Sequence, residues 1–182
     1  MMKIDLSINS SSHNSILKSF QRIAKELLNN YIIEIDNKKF QILIIEFYYH
    51  SETHTDDSIH FHHKQLSSHK WYIHCKTINK KSKRNGIDYT FGNKINYGSI
   101  LIKRVKQLDS TEKGEFTQSL FVKKLIEIIK PKDFDQFLYE IDQRLKLVYQ
   151  NKTTSCEPLR WTRENITKGH FIDKGYAFRL EN

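Results

Sequence analysis

Residues 40–49 read Phe-Gln-Ile-Leu-Ile-Ile-Glu-Phe-Tyr-Tyr, a run that is apolar almost throughout and rich in β-branched and aromatic side chains. Such a run favours a strand buried within a sheet. A second β-rich run, residues 31–36, comes just before it, and Asn37-Lys38-Lys39 between the two indicates a hairpin turn. The sequence therefore predicts that residues 40–49 form a central strand.

Helical and strand patterns follow one another along the rest of the chain. Apolar residues recur at helical spacing in three segments, with shorter β-rich runs between and after them. The predicted parts are an N-terminal helix over 15–30, a sheet carrying the candidate site over 31–110 with strands at 71–75 and 98–105, helices at 116–130 and 133–150, and a closing strand within 170–182. No internal repeat and no linker rich in proline or glycine divides the chain. We predict one α/β domain of the α+β type over residues 1–182, with a curved, mostly antiparallel sheet flanked by three helices.

The composition is that of a basic globular protein. Hydrophobic residues make up 38% and aromatic residues 12%, which excludes a disordered tail. The balance of 30 Lys and Arg against 21 Asp and Glu gives a formal net charge of +9, and such an excess attracts polyanions. Nucleic acid is the first partner to consider, although a proteome rich in lysine and asparagine would raise the charge without any function.

Cysteine content and hydropathy indicate the compartment. Cys75 and Cys156 are too few for a disulfide framework, so both are expected to be free thiols in a reducing environment. No apolar run approaches the roughly 20 residues that span a bilayer, and residues 1–12 lack the apolar core of a signal peptide. We expect a cytoplasmic protein without membrane contact.

Glu46 is the first candidate for chemistry, because it interrupts the apolar strand. A carboxylate gains nothing from burial unless a partner compensates its charge, and a carboxylate held in a cavity can act as a general base. Tyr48, two residues further on, shares its face of the strand. The alternative is a glutamate at a strand end that is already exposed to water.

Residues 50–63 are dense in histidine, a side chain that titrates near neutral pH. A transition metal is an alternative ligand for these histidines, but neither a His-Glu-x-x-His motif nor a cysteine pair supports it, so we predict no metal and no other cofactor. On the strand that follows, alternation places Tyr72 and His74 on one face, and both are candidates for binding a ligand. His74 is the stronger one, because ordinary sheet packing explains Tyr72 equally well.

Two basic segments are candidates for phosphate contacts. The first is a loop with Lys80, Lys81, Lys83 and Arg84, and the second is a strand end with Lys103 and Arg104. A solvated surface is an equal alternative for both. Residues 86–92 lack the spacing of a phosphate-binding loop, and neither Gly-x-Gly-x-x-Gly nor a serine nucleophile elbow is present, which argues against kinases, dehydrogenases and serine hydrolases.

Taken in order, these segments resemble the alkyladenine (3-methyladenine) DNA glycosylase family over most of the chain. Residues 24–33 are similar to the family's opening helix-to-strand passage. The other similar segments are Ile45-Glu46-Phe47-Tyr48 to Thr-Glu-Ala-Tyr, residues 56–60 to Asp-x-Ala-x-His, 71–74 to the Tyr-Val-Tyr strand, 99–105 to Val-Leu-Ile-Arg-Ala and 176–180 to the closing Leu-Arg-Phe-Tyr-Val.

The resemblance implies a role for each matched residue. Glu46 would activate a water molecule, and Tyr48 and His74 would sandwich a base flipped out of the duplex. His60 would contact the edge of that base. Lys103 stands where the family has an arginine, and it keeps the charge without the planar fork of donors. His74 replaces a second stacking tyrosine, which makes the predicted pocket more polar.

The resemblance also implies the reaction and the partner. The protein would excise a damaged or modified base, an alkylated purine first among them, from double-stranded DNA, without a cofactor and without cutting the strand. No obligate protein partner is predicted. The family's long wedge hairpin is reduced here to residues 86–93, which leaves two alternatives: a nucleic-acid-binding protein without catalysis and a hydrolase of free modified nucleosides. A metal-dependent enzyme is a further alternative.

Overall fold

A curled antiparallel sheet and three α-helices make up the described part of this chain. The computed structural model describes residues 3–74, 85–109, 114–151, 155–163 and 174–180. The helices and strands are α1 (His13–Asn30), β1 (Tyr31–Ile35), β2 (Lys38–Ser51), β3 (His54–Thr55), a 3-10 helix (His63–Leu66), β4 (Ser68–Ile73), β5 (Ile87–Phe91), β6 (Tyr97–Gln107), β7 (Glu115–Thr117), α2 (Gln118–Ile129), α3 (Phe134–Arg144), β8 (Leu145–Tyr149), β9 (Leu159–Trp161) and β10 (Ala177–Arg179). The predicted α+β fold class is confirmed.

Strand β2 is the centre of the sheet. The strand order is β4-β5-β6-β2-β1-β8, and β2 also pairs with β3 and β10. Each of these pairings is antiparallel. The register with β6 places Glu46 opposite Leu101 and Tyr48 opposite Ser99. The predicted central strand and its hairpin with β1 are therefore confirmed.

Helix α1 covers the apolar face of this central strand. It begins where the Ser12 hydroxyl accepts a hydrogen bond of 3.1 Å from the backbone N–H of Ser15, which satisfies one of the free donors of the first turn. The ring of Phe20 stacks 4.4 Å from that of Phe47, and both side chains are fully buried. Burying a side chain of this size contributes about 1.5–3 kcal/mol. The predicted N-terminal helix is confirmed, with two more residues at its start.

The predicted helix over 133–150 is wrong in its second half. Helix α3 ends at Arg144, and residues 145–149 form β8, which pairs with β1. The apolar residues of this segment fit a helical repeat, but leucine, valine and tyrosine also suit a strand. Pairing satisfies the backbone groups along the edge of β1, which would otherwise stay open. Pairing with β1, and not the local helical pattern, therefore determines the structure of residues 145–149.

Other boundaries also differ from those expected. The helix predicted over 116–130 begins only at Gln118, after β7. The closing strand is β10, and residues 170–173 and 181–182 lie outside the described part of the chain. Strand β5 was not predicted, because polar side chains interrupt its short apolar run. No helix among the described residues is long and apolar enough to cross a membrane.

Candidate functional site

Glu46 lies on the polar face of the sheet. In this half of β2 the residues alternate, so that Ile45 and Phe47 are buried in the apolar core while Glu46 and Tyr48 project from the opposite face. Only 1% of Glu46 is exposed. The alternative of a strand-end glutamate in contact with water is therefore excluded.

Tyr48 and Lys103 orient the Glu46 carboxylate and compensate its charge. The Tyr48 hydroxyl donates to Oε2 at 2.9 Å, and Lys103 Nζ lies 3.3 Å from Oε1. Lys103 reaches this position because Leu101 lies opposite Glu46, and a residue two positions further along the same strand projects from the same face. Burial, and then the charge of Glu46, raises the pKa of Tyr48, so its hydroxyl keeps the proton that it donates.

Asp88 is a second buried carboxylate on the same face. It lies opposite Leu101, as Glu46 does from the other side, so two strand spacings or about 10 Å separate the Cα atoms of the two acids. Asp88 Oδ2 is 2.7 Å from His74 Nε2, but the N–H of the ring is not aligned with the oxygen for a hydrogen bond. Asp88 Oδ1 has no hydrogen-bond partner among the described residues. The ring and the carboxylate are therefore in close contact without a hydrogen bond between them.

Two further rings pack against His74. The ring centroids of His60 and Tyr72 lie 4.2 and 4.6 Å from that of His74. Burial, with the charge of Asp88 adding to it, raises the pKa of Tyr72 to about 12. Although His60 retains exposed surface, desolvation by the surrounding protein and then the neighbouring His74 lower the pKa of His60. We call His60, Tyr72 and His74 the ring cluster.

Arg163 connects the site to a distant part of the chain. Its guanidinium contacts both oxygens of Asp56, at 2.6 and 3.3 Å, and donates to the carbonyl oxygen of Phe47 at 3.3 Å. Its Cζ also lies 4.8 Å from the ring centroid of Tyr48. The Arg163 side chain has no exposed surface, so it forms part of the cover over the polar face of the sheet.

The structure gathers six of the predicted site residues into two neighbouring groups. The first is Glu46, Tyr48 and Lys103, and the second is the ring cluster of His60, Tyr72 and His74 beside Asp88. Arg104 lies apart from both, in an exposed ion pair with Glu115 at 3.6 Å. The predicted DNA-contacting residues Lys80, Lys81, Lys83 and Arg84 lie outside the described residues. Within the ranges that the structure describes, no three His, Cys, Asp or Glu residues are grouped so that they could hold a metal ion.

Sequence reasoning missed Asp88 and Arg163. In residues 87–91, Asp88 and Thr90 alternate with three apolar residues, which is a usable signal for a strand with one polar face. Arg163 offers no such signal, because it is 107 residues away from Asp56 in the sequence and no spacing rule joins them.

Fold and site together define an α+β protein with a buried polar site on one face of its sheet. No family model matches the chain. Its sequence is similar to that of an uncharacterized protein, L759, of Acanthamoeba polyphaga mimivirus, with 27% identity over 158 residues that cover 75% of this chain and 73% of the viral protein. The name of this relative describes no activity, so a function has to be argued from the site.

Proposed function

We propose that this protein is a DNA glycosylase that hydrolyses the N-glycosidic bond of a damaged or modified base, an alkylated purine first among them. The observation that supports this most is the buried Glu46 carboxylate, held by Tyr48 and Lys103. A charge inside a protein is costly to keep, and departures of this kind from good packing are expected at functional sites. Glu46 has the chemistry and the fixed orientation of a general base.

The proposed reaction begins when a nucleotide leaves the duplex. Flipping costs a few kcal/mol and costs least for damaged or mispaired bases. The base would displace the exposed ring of His60 and pack against His74. As the bond between C1′ and the base lengthens, Glu46 takes a proton from the water that attacks C1′, and its negative charge offsets the developing positive charge of the sugar.

Lys103 is assigned to holding Glu46 and not to attacking the sugar. Glycosylases that also cut the strand use an amine nucleophile, but an ammonium group paired with a carboxylate has no lone pair to offer. Borohydride added during the reaction should therefore trap no covalent adduct between protein and DNA. An adduct that disappears in Lys103→Met would contradict this assignment.

Double-stranded DNA is the proposed partner, and the net charge of +9 supports it. A cytoplasmic location is proposed as well, and the exposed free thiol of Cys156 agrees with a reducing compartment. The reaction as written uses no cofactor, membrane or obligate protein partner.

Hydrolysis of free modified nucleosides is the second candidate function. Strands β5 and β6 are joined by residues 92–96 alone, and so short a hairpin offers little surface to a duplex. Activity on nucleosides that DNA competitors leave unchanged would favour this candidate.

Base release from duplex and single-stranded oligonucleotides tests the proposal. The substrates carry an alkylated adenine, ethenoadenine, hypoxanthine or uracil. Glu46→Gln keeps the size of the side chain but removes its ability to accept a proton, so we expect release to fall by about 10²–10⁴-fold. Glu52→Gln, in the exposed turn after β2, is the matched control. Salt-dependent DNA binding without release, equal in the native protein and both variants, would instead indicate a binding protein.

A further inference from the structure

A second cavity lies on the face of the sheet opposite Glu46. Tyr72 pairs with Asp88 and both face the candidate site, so the next pair along these two strands, Trp71 and Tyr89, projects from the other face. The rings of Trp71 and Tyr89, with centroids 4.8 Å apart, line a cavity of about 450 Å³. This volume falls within the range of small-molecule sites. We call it the second cavity.

Three lysines from separate parts of the chain line the second cavity. Lys3 comes from the segment before α1, Lys70 from β4 and Lys146 from β8. None of their ammonium groups forms an ion pair with a carboxylate in the described part of the chain. Asp142 also lines the cavity, but its carboxylate is already paired with Lys64 Nζ at 2.8 Å. The second cavity is therefore positively charged and attracts an anion.

A bulge in β4 brings consecutive residues to the second cavity. In a regular strand, neighbouring residues project from opposite faces, yet His69, Lys70 and Trp71 all line this cavity. The register between β4 and β5 shifts between Ser68 and Trp71, and His69 has a φ of 59°. A left-handed backbone is uncommon for a residue other than glycine, and such strain is concentrated at functional sites. The bulge thus adds a histidine to the lysines.

The Tyr89 hydroxyl orients the ring of His69, since it lies 3.1 Å from Nδ1. Burial raises the pKa of Tyr89 to about 12, so the hydroxyl keeps its proton and can donate a hydrogen bond to Nδ1. Desolvation, and then the charge of Lys3, lower the pKa of His69, which favours the neutral ring. A neutral imidazole that accepts at Nδ1 carries its hydrogen on Nε2. His69 therefore offers an N–H donor to an anion.

We propose that the second cavity binds a small molecule that carries a phosphate group and a flat ring, as a nucleoside monophosphate does. The lysines and the N–H of His69 would contact the phosphate oxygens, because charge-assisted hydrogen bonds to phosphate are the strong ones. Trp71 and Tyr89 would pack against the flat ring. A small anion fits better than a nucleic-acid backbone, because the lysines belong to three separate elements around one cavity. The proposal does not depend on the role of Glu46.

Titration with adenosine 5′-monophosphate, followed by NMR of the indole N–H groups, tests the proposal. Trp71 Nε1 donates to the carbonyl oxygen of Leu145 at 2.9 Å, and both residues line the cavity. Trp161, the other tryptophan, lies on β9. We expect the Trp71 signal to shift with a dissociation constant of about 1 mM or lower, while the Trp161 signal stays unchanged. Trp161→Phe assigns the two signals.

Two variants measure the contribution of the polar groups. Lys70→Ser combined with Lys146→Ser should weaken binding about 30-fold or more, because each lysine supplies a charge-assisted contact. The matched control combines Lys18→Ser with Lys106→Ser, two exposed lysines outside the cavity, and changes the net charge equally. His69→Gly should weaken binding about 10-fold, since glycine accepts a positive φ but supplies no side-chain donor.

Comparison of ligands separates the phosphate from the ring. Adenosine lacks the phosphate and inorganic phosphate lacks the ring, so we expect each to bind at least about 10-fold more weakly than the nucleotide. A single-stranded oligonucleotide without a terminal phosphate should not displace the nucleotide. Displacement by that oligonucleotide would show a surface for nucleic acid instead and overturn the proposal.

Three other results would also contradict the proposal. The first is a Trp71 signal that does not move as the nucleotide is added, and the second is adenosine or inorganic phosphate that binds as well as the nucleotide. The third is an equal loss of binding in the two double variants, which would indicate general attraction by the net charge. If a variant does not fold, the Trp71 shift and the ligand comparison in the native protein still decide. Base release is not measured in any of these tests, so failure here leaves the proposal for Glu46 untouched.

Discussion

Asp56 and Arg163, 107 residues apart in the chain, form a buried ion pair whose closest atoms are 2.6 Å apart. Their side chains are 2% and 0% exposed. The pair joins the residue after β3 to the segment after β9, and the same guanidinium lies over the ring of Tyr48. The cover of the candidate site thus depends on a contact between distant parts of the sequence.

Removing one partner of this pair should lower the free energy of unfolding far more than removing both. Arg163→Met leaves Asp56 buried without its counter-charge, and we expect the free energy of unfolding to fall by about 3–5 kcal/mol. Adding Asp56→Asn should recover much of that loss, because no unpaired charge then remains. Urea unfolding of the single and double variants measures both effects. Strictly additive losses would mean that the two side chains do not act as a pair.

The ion pair between Glu46 and Lys103 predicts a similar but smaller effect on stability. Lys103→Met removes the ammonium group beside the carboxylate, and the expected loss is about 3 kcal/mol, at the low end for buried pairs because 17% of the Lys103 side chain is exposed. The same change made in Glu46→Gln should have little effect. Lys106→Met, on the exposed side of β6, is the control. An equal loss with and without Glu46 would show that packing of the lysine stem, and not its charge, is what matters.

His54 should make the protein sensitive to mild acid. Burial lowers the pKa of His54 to about 4, and its Nε2 lies 3.3 Å from the Tyr176 hydroxyl. Because this value is below the 6.5 of an unfolded chain, the unfolded state binds a proton between pH 4 and 6.5 while the folded state does not. The stability contributed is complete above pH 6.5 and is lost as pH falls to 4, by about 3 kcal/mol at most.

Chemical denaturation across this range checks the prediction. The difference in unfolding free energy between the native protein and His54→Gln should change steadily from pH 6.5 to pH 4 and level off outside that window. Two parallel curves would assign the acid sensitivity to other histidines.

The sequence could predict the helices and strands whose formation depends on residues close together in the chain. Helix α1 and strand β2 each carry their own periodic pattern, and the strand's alternation already put Glu46 and Tyr48 on one face. Residues 145–149 fit two patterns equally, and only the open edge of β1 decided between them. A local rule cannot contain that information.

The candidate site could be predicted only in part for the same reason. Strand alternation and the family resemblance pointed to Glu46 and Lys103 separately, but their contact depends on the register between β2 and β6. Asp88 lies at the site because β5 pairs with β6. Arg163 reaches the site through tertiary packing alone. Such packing produces no recognisable spacing or composition in the sequence.

Gly92 shows how tightly the hairpin beside the site is packed. A Cβ atom at Gly92 would lie 1.9 Å from the carbonyl oxygen of Gln65 and 2.7 Å from the backbone of Leu66, and backbone atoms cannot move aside as a flexible side chain can. Gln65 in turn donates at 2.9 Å to the hydroxyl of Ser99, which lies opposite Tyr48. Gly92→Ala should therefore push the 3-10 helix away from the polar face.

We expect Gly92→Ala to cost about 3 kcal/mol, the upper part of the usual range for overpacking. Gly114→Ala is the matched control, since its nearest contact is the Phe116 ring at 3.2 Å, a side chain that can adjust. That variant should stay within about 0.5 kcal/mol of the native protein. Thermal unfolding of both variants gives the comparison. A similar small effect at both positions would mean that the 3-10 helix can shift without loss, and that Gln65 is not held in place by the hairpin.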